Sequence, residues 1–364
     1  MNILHYYSEG DTMVKQYVEK LLEHMGGEAE NHQTCHAADA RTLLRNGHYD
    51  LLHLHGCWQS AARGVVATAL RQGTRLVLSP HGQLEPWVMS HHYLKEKLPK
   101  QMLFQKQIVN TAYAVIIEGR MEEECMRRLG WNPRTVIIRN ALITNSTSFP
   151  KMVRQTLAVY RQVMDSNTRE LMSDDTRTLL VGLLKAGICS DPRWLGDTPL
   201  PHIGYEDWRR LLCHAHQEQV DDVVAHGLRV MRLESPDIDA SAIPYFLPEG
   251  YEPPTTINQS IGMQFATENE RLLATFQYLR RMMLHGSLTL LHVVELDKEL
   301  RQHDAEEDLL CDTLHDHKLY NFAARIMWMM KVLTGFDEGF MPMPPQEDRI
   351  ARRMLKQVEN HLKI

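Results

Sequence analysis

The first 145 residues alternate short apolar runs with stretches of helical spacing. The runs at 2–7, 50–55, 75–79, 113–117 and 135–138 are brief and bounded by turn residues, as strands buried in a parallel sheet are. A weaker run spans 30–36. Between them, 13–25 sets Met13, Val14, Tyr17, Val18, Leu21 and Leu22 at helical spacing, with Gly26-Gly27 as the stop. Further helices are expected at 40–46, 61–71, 93–111 and 121–129, the second closed by Gly73 and the last by Gly130. Strand and helix in alternation predict an α/β fold: a Rossmann-like, doubly wound parallel sheet covered on both faces.

After residue 150 the alternation stops. The spacing predicts helices over 152–171, 174–186, 206–232, 288–302, 305–317, 319–333 and 346–362. Thr267-Glu268-Asn269-Glu270 reads as a capping box, and the helix it opens places Leu272, Phe276, Leu279 and Met283 on one face. Residues 235–262, rich in Pro, Gly and small polar side chains, read as a long loop or lid. The chain is therefore expected to hold two domains, a sheet domain over 1–145 and a mostly α-helical region over 151–364.

Composition narrows the function classes. The length of 364 residues suits two domains, and 43% hydrophobic with 24% charged residues is a globular composition. A formal charge of −6 gives no basic excess, so no nucleic-acid partner is expected. Six cysteines without a C-x-x-C pair argue against a zinc ribbon or a disulfide framework and fit a reducing compartment. No window approaches the roughly 18 apolar residues of a membrane span. The start of the chain reads as a strand instead of a signal peptide, so a cytoplasmic location is expected.

Two strand ends carry the candidate chemistry. One reads His53-Leu54-His55-Gly56-Cys57-Trp58, the other Ser79-Pro80-His81-Gly82-Gln83-Leu84-Glu85-Pro86-Trp87. Each apolar run stops at a His-Gly pair with a Trp close behind. Ligands of open α/β sheets bind beyond the carboxyl ends of the strands, so both pairs aim protonatable groups and flexible backbone at one crevice. Satisfied core or loop histidines are the competing reading for His53, His55 and His81 taken singly; the repetition favours a site.

These stretches are followed in order by Lys95, Lys97, Lys100 and Lys106, then Ala114-Val115-Ile116, Glu122, and Val136-Ile137-Ile138-Arg139-Asn140-Ala141. Together they resemble the acceptor-side, N-terminal domain of family-4-type retaining glycosyltransferases of the GT-B fold, over roughly residues 1–145. The resemblance implies transfer of a sugar, with retention, from a nucleotide-sugar donor to a glycan or lipid-linked acceptor, with no cofactor and no metal. It implies His81 as the catalytic group beside the donor sugar. It also implies that His55, Gly56, Trp58, Gly82, Glu85, Trp87 and Asn140 bind substrate. The sequence departs from the family pattern at Gly10, where a Gly-Gly is usual, at Glu118-Gly119 in place of Thr-Ser, and at Arg139 and Ala141 around Asn140.

A donor domain needs a Gly-rich phosphate loop, a cation for the diphosphate and a Glu-x7-Glu pair. Only Glu299 and Glu307 have that spacing, inside a dense charge run that reads as a solvated face. His303, His315 and His317, with Asp304, Asp312 and Asp316, read the same way and not as a metal site. The Met-rich run 326–330 reads as core. Two functions stay open: a transferase with a divergent donor domain, and a binding or scaffolding relative that kept the acceptor-type domain. A third idea is peripheral membrane contact through 93–107, where four lysines accompany Leu94, Leu98, Met102 and Phe104.

Overall fold

The computed structural model describes residues 1–25, 30–195, 200–262, 264–303 and 305–364. The expected stop at Gly26-Gly27, Asp304, and the side chains of Tyr93, Leu94, Trp194 and Leu195 lie outside the described residues. The chain divides into two compact units, Met1–Ser166 and Asn167–Lys363.

In the first unit six parallel strands form one sheet. They are β1 (Asn2–Tyr6), β2 (Asn31–Cys35), β3 (Leu51–His55), β4 (Arg75–Ser79), β5 (Ala114–Ile117) and β6 (Thr135–Ile137), in the order β2-β1-β3-β4-β5-β6. Helices Thr12–Met25, Ala40–Asn46, Ser60–Arg71 and Arg120–Leu129 fall where the spacing put them. β2 read weakly because it is an edge strand: Asn31, Gln33 and Thr34 are exposed and only Cys35 is buried. The single helix expected over 93–111 is instead broken into wide π-type turns, Tyr93–Lys97 and Gln101–Gln105, around Leu98–Lys100, before an α-helix at Lys106–Thr111. Pro99 lacks the amide hydrogen the ladder needs, and its ring crowds the preceding turn.

The two faces of the sheet are unlike. Leu4, Leu52, Leu54, Leu76, Leu78, Val115 and Ile117 make an apolar face that packs on Val65, Val66, Ala69, Ile108 and Val109. Alternate positions place Ile3, His5, Leu51, His53, His55, Arg75, Val77 and Ser79 on the other face, which is buried as well. Helix Phe149–Asp165 lies over this polar face and belongs to the same compact unit, which therefore runs past the expected end of the sheet domain at 145. Its carboxyl end is held by Arg75, whose guanidinium donates to the carbonyls of Val163 and Ser166, the latter at 2.6 Å. A strand arginine thus satisfies carbonyls that a helix end leaves unpaired.

The second unit is helical, with no strand among its described residues. Its main helices are Asp174–Cys189, Tyr205–Gln217, Asp221–Met231, Glu268–His285, Leu290–Leu300, Glu307–Asp316, Tyr320–Leu333 and Arg349–Glu359. The helix expected over 206–232 is two: Gln219 takes a left-handed φ of 57°, and Asp221 and Asp222 restart the helix, their charges favourable at an amino end. Asp174–Cys189 and Asp221–Met231 pack almost backbone to backbone. A Cβ on Gly227 would lie 2.1 Å from the Leu183 carbonyl oxygen, and one on Gly187 2.1 Å from that of Val223. The Thr267 hydroxyl accepts from Glu270 N, but the Glu270 carboxylate accepts from Ala266 N, so the expected capping box closes one residue early. Met327, Met329 and Met330 are wholly buried core. Glu299 departs from its expected place on a solvated face: it is nearly buried, 3.1 Å from Arg271. Glu307, His315 and His317 are exposed. Among the described residues no helix is long and apolar enough to cross a membrane.

Candidate functional site

β1 and β3 bring three histidines together on the polar face. His5 is in register with His53, and His55, two residues on, is in register with Ser79 of β4. Both strands beside the site then turn sharply. Gly56 has a φ of 87°, and its amide donates to the Ser79 carbonyl at 2.7 Å. After β4, His81 and Gly82 take φ values of 54° and 74°. The left-handed conformation costs a non-glycine residue about 1–2 kcal/mol, and at His81 it comes with a ring turned back onto the sheet.

The result is a row of imidazoles joined nitrogen to nitrogen. His32 Nδ1 meets His5 Nε2 at 3.1 Å, His5 Nδ1 meets His55 Nε2 at 3.1 Å, and His55 Nδ1 meets His81 Nε2 at 3.1 Å. The row ends on Glu118, whose Oε1 is 3.0 Å from His81 Nδ1. That oxygen also accepts from the Asn140 amide at 3.0 Å, so His81 Nδ1 is the donor. With all four rings neutral, His81 Nε2 accepts from His55 Nδ1–H, and the same direction passes through His5 to His32. In that state each ring is a Nδ1–H tautomer, and Glu118 sets the polarity of the row. His53 lies beside it, its ring centroid 3.8 Å from that of His55. Its Nδ1 meets the Tyr160 hydroxyl at 2.6 Å and its Nε2 the Ser79 hydroxyl at 2.7 Å.

Burial sets the electrostatics. It holds His5 down to about 3 and His53 and His55 well below the usual imidazole range, with the neighbouring rings adding to the effect. It raises the Tyr160 phenol well above its ordinary value and the Glu122 carboxyl to about 7. Glu122 accepts from Glu118 N at 3.2 Å, fixing the backbone that presents Glu118.

At the carboxyl ends of β1, β2 and β3 lies a groove of about 480 Å³, which none of the row's histidines lines. Ser8, Glu9, Gly10, His36, Trp58 and Gln59 line it. Trp58 is pinned there: its amide donates to Gln105 Oε1 at 2.7 Å and its indole Nε1 to the Gln83 carbonyl at 3.1 Å. Gln83 ties three loops, accepting from Cys57 N at 2.6 Å and donating to Asp11 Oδ2 at 3.1 Å. The arrangement offers an aromatic wall with carboxylate, hydroxyl, amide and imidazole groups around it.

The expected site residues fall into three groups. His55, His81 and Asn140 meet, Asn140 through Glu118, while Gly56 and Gly82 shape the turns that carry them. The two histidines sit at the ends of neighbouring strands but face each other, not an open cleft. His55 is 0% exposed and the His81 side chain 8%, and both nitrogens of each ring are bonded within the protein. Trp58 lines the groove. Glu85 and Trp87 pair with each other at 2.7 Å, Trp87 on the surface, and neither lines the groove. His5, His32, Glu118 and Tyr160 were missed as site residues. Glu118 had a signal, a carboxylate one residue past a strand end; His5 and His32 show themselves only once the strand order is known.

Residues 27–141 match the family model described as a Glycosyl transferase 4-like domain. The match spans both His-Gly strand ends, Glu118 and Asn140, and places this N-terminal segment with glycosyltransferase-type domains. No curated protein and no solved structure matches the chain.

Proposed function

We propose that the sheet domain is the acceptor side of a glycosyltransferase-type protein. Its groove takes a sugar-bearing acceptor, a glycan or a lipid-linked one, and transfer from a nucleotide-sugar with retention is the reaction it serves. The groove itself carries this reading. It lies where open α/β sheets bind ligands, within reach of the segment matched to glycosyltransferases. The face of Trp58 suits the C–H side of a sugar ring, and Glu9, Ser8 and Gln59 offer partners for hydroxyls. A lipid-linked acceptor also suits the exposed Met102 and Leu103 beside Lys100 and Lys106, although Phe104, expected on that apolar side, is core.

In this reaction His81 is the catalytic group, touching the donor sugar once one ring nitrogen is released from His55 or Glu118. His55 and Asn140 act as positioning residues that hold its tautomer. A second reading, a binding or scaffolding protein without catalysis, is favoured by one observation: both nitrogens of His81 are engaged inside the protein.

Calorimetric titration with oligosaccharides and with UDP-, GDP- and ADP-sugars separates the readings. Oligosaccharide binding that Trp58→Ala weakens about tenfold or more, roughly 1.4 kcal/mol, supports the groove as acceptor site. Micromolar affinity for a nucleotide-sugar supports transfer. Oligosaccharide binding alone supports the binding protein, and silence in both series overturns both readings.

A further inference from the structure

We infer that His5, His53 and His55 form a binding site for a divalent transition-metal ion, with zinc the best chemical match. One ligand nitrogen from each lies within 4.8 Å of the other two, and all three residues are 0% exposed. The site shares His55 with the sugar-transfer reading but does not depend on it.

Four observations support it. The first is spacing. Zinc holds imidazole nitrogens at about 2.0–2.1 Å in a tetrahedron, which sets the nitrogens roughly 3.3 Å apart. His5 Nδ1 and His55 Nε2, at 3.1 Å, are nearly there. The second is the donor state. All three candidate donors are imidazoles, and neutral imidazole is a form that ligates zinc.

The third is the outer shell. Metal-bound imidazoles are oriented by a partner on the far nitrogen. Here the far nitrogen of His5 meets His32, and that of His55 meets His81, backed by Glu118. His53 has hydroxyls on both nitrogens, Ser79 and Tyr160. One can hold the ring while the other nitrogen turns to the ion, and the Tyr160 hydroxyl or a water can complete the tetrahedron. The fourth is energetic. Neutral hydrogen bonds return only about 1 kcal/mol each against the cost of desolvating the rings. Coordination to an ion by the same atoms would add binding energy against that cost.

A site at His5, His53 and His55 departs from the expectation of no metal, and it lies apart from His303, His315 and His317, which read as a solvated face. It also fixes what the ion must do to the row. Without an ion, His5 carries its proton on Nδ1. An ion on His5 Nδ1 sends that proton to Nε2, which then donates to His32 Nδ1 and drives the His32 proton to its own Nε2. His55 keeps its proton on Nδ1 in both states.

Because the trio is closed to solvent, the ion must be taken up on folding. The full chain should therefore be refolded from denaturant with zinc and passed over a weak chelator. Elemental analysis should find about one zinc per chain, and cobalt in its place should give the visible bands of a tetrahedral site. His53→Gln should lower retained metal about tenfold or more, whereas His315→Ala with His317→Ala should leave it unchanged. Nitrogen-shift spectra of histidine-labelled protein should show the His5 proton moving from Nδ1 to Nε2 on loading. Absence of retained zinc in the refolded wild type, retention by His53→Gln equal to wild type, or an unmoved His5 proton would each overturn the site. Should His53→Gln fail to fold, the wild-type stoichiometry and the His5 proton decide.

Discussion

The two units bury polar groups in opposite ways. The sheet unit buries neutral rings in a directed row, His32 to His81, closed by Glu118. The helical unit buries ions. Asp297 has a wholly buried side chain 2.6 Å from Arg301, which also reaches Asp337 at 3.2 Å; Asp337 in turn holds Lys185 at 2.7 Å. The Arg301 guanidinium lies over Phe336 and Phe340. Opposite charges in such a cluster spend their interaction on compensating one another's desolvation, and what they gain is a fixed joint between distant parts of the chain. Neutral imidazoles keep lone pairs that a proton or a cation can compete for. One arrangement holds shape; the other can do chemistry.

Removing the central cation should be the largest perturbation. Arg301→Met leaves the buried Asp297 with the Thr334 hydroxyl but without its cation, while Asp337 keeps Lys185. Breaking a buried pair on one side costs about 3–5 kcal/mol. Urea titration read by hydrogen exchange should show the loss in peptides from 167–363. Equal loosening of peptides from 1–166 would break the contrast between the units.

Acid should act on the sheet unit instead. His5, at about 3, and the lowered His53 and His55 bind fewer protons folded than unfolded as pH falls below the ordinary 6.5. Their stabilisation is complete above 6.5 and is lost on acidification. Glu122, raised from 4.5 to about 7, has the opposite sign between those values and offsets part of the effect. In the helical unit His214 and His292 are lowered, but Glu218, Glu295, Asp297 and Glu299 are raised by burial and oppose them. Between about pH 7 and about pH 4.5 the sheet unit should lose more stability than the helical one. A bound metal keeps the sign, since protons displace it from imidazole. A larger acid loss in the helical unit would reverse the comparison.

Packing gives a third, smaller effect. In Gly227→Ala the new methyl must clear the Leu183 carbonyl, 2.1 Å away, and the two helices must part. Such overpacking costs about 1–3 kcal/mol, again confined to 167–363, and urea midpoints measure it.

The sheet was legible because its signals are local. β3 and β4 are each five buried residues with a largely apolar core, a His-Gly pair closing β3 and following β4 one residue past Ser79, and helix Arg120–Leu129 ends at Gly130 in the left-handed conformation that glycine tolerates. The helical unit was legible only as helices. The break at Gln219 and the Gly187–Gly227 approach depend on tertiary contact, which leaves no periodic trace. At the site, the strand-end position of His81 was readable and its burial was not. A ring's environment depends on what the adjacent strands present, and His5 and His32 come from β1 and β2, on the far side of β3 from β4. Glu118 stood in the sequence as a departure from a family pattern, yet it is the group that orients the whole row.

His81 therefore makes the finest test. A strand-end side chain in an open cleft could be removed with little loss of stability, but His81→Ala here strips a partner from His55 Nδ1–H and from Glu118, both largely shielded from water. An unmade buried hydrogen bond costs about 1–3 kcal/mol, so denaturant titration should register a loss in the sheet unit. Where transfer activity is measured, turnover should also fall roughly 10²-fold, the scale of losing one preorganised group. His81→Asn separates the two effects. Asparagine tolerates a φ of 54°, and its amide can reach one of the two partners, so part of the stability should return while turnover does not. His48→Ala supplies the floor. That side chain is 85% exposed, 3.6 Å from Asp50, and its loss should change stability by less than about 0.5 kcal/mol and activity not at all. If His81→Ala costs no more than His48→Ala, the row of rings does not hold the polar face of the sheet together, and the difference between the two units reduces to the ion pairs of the helical one.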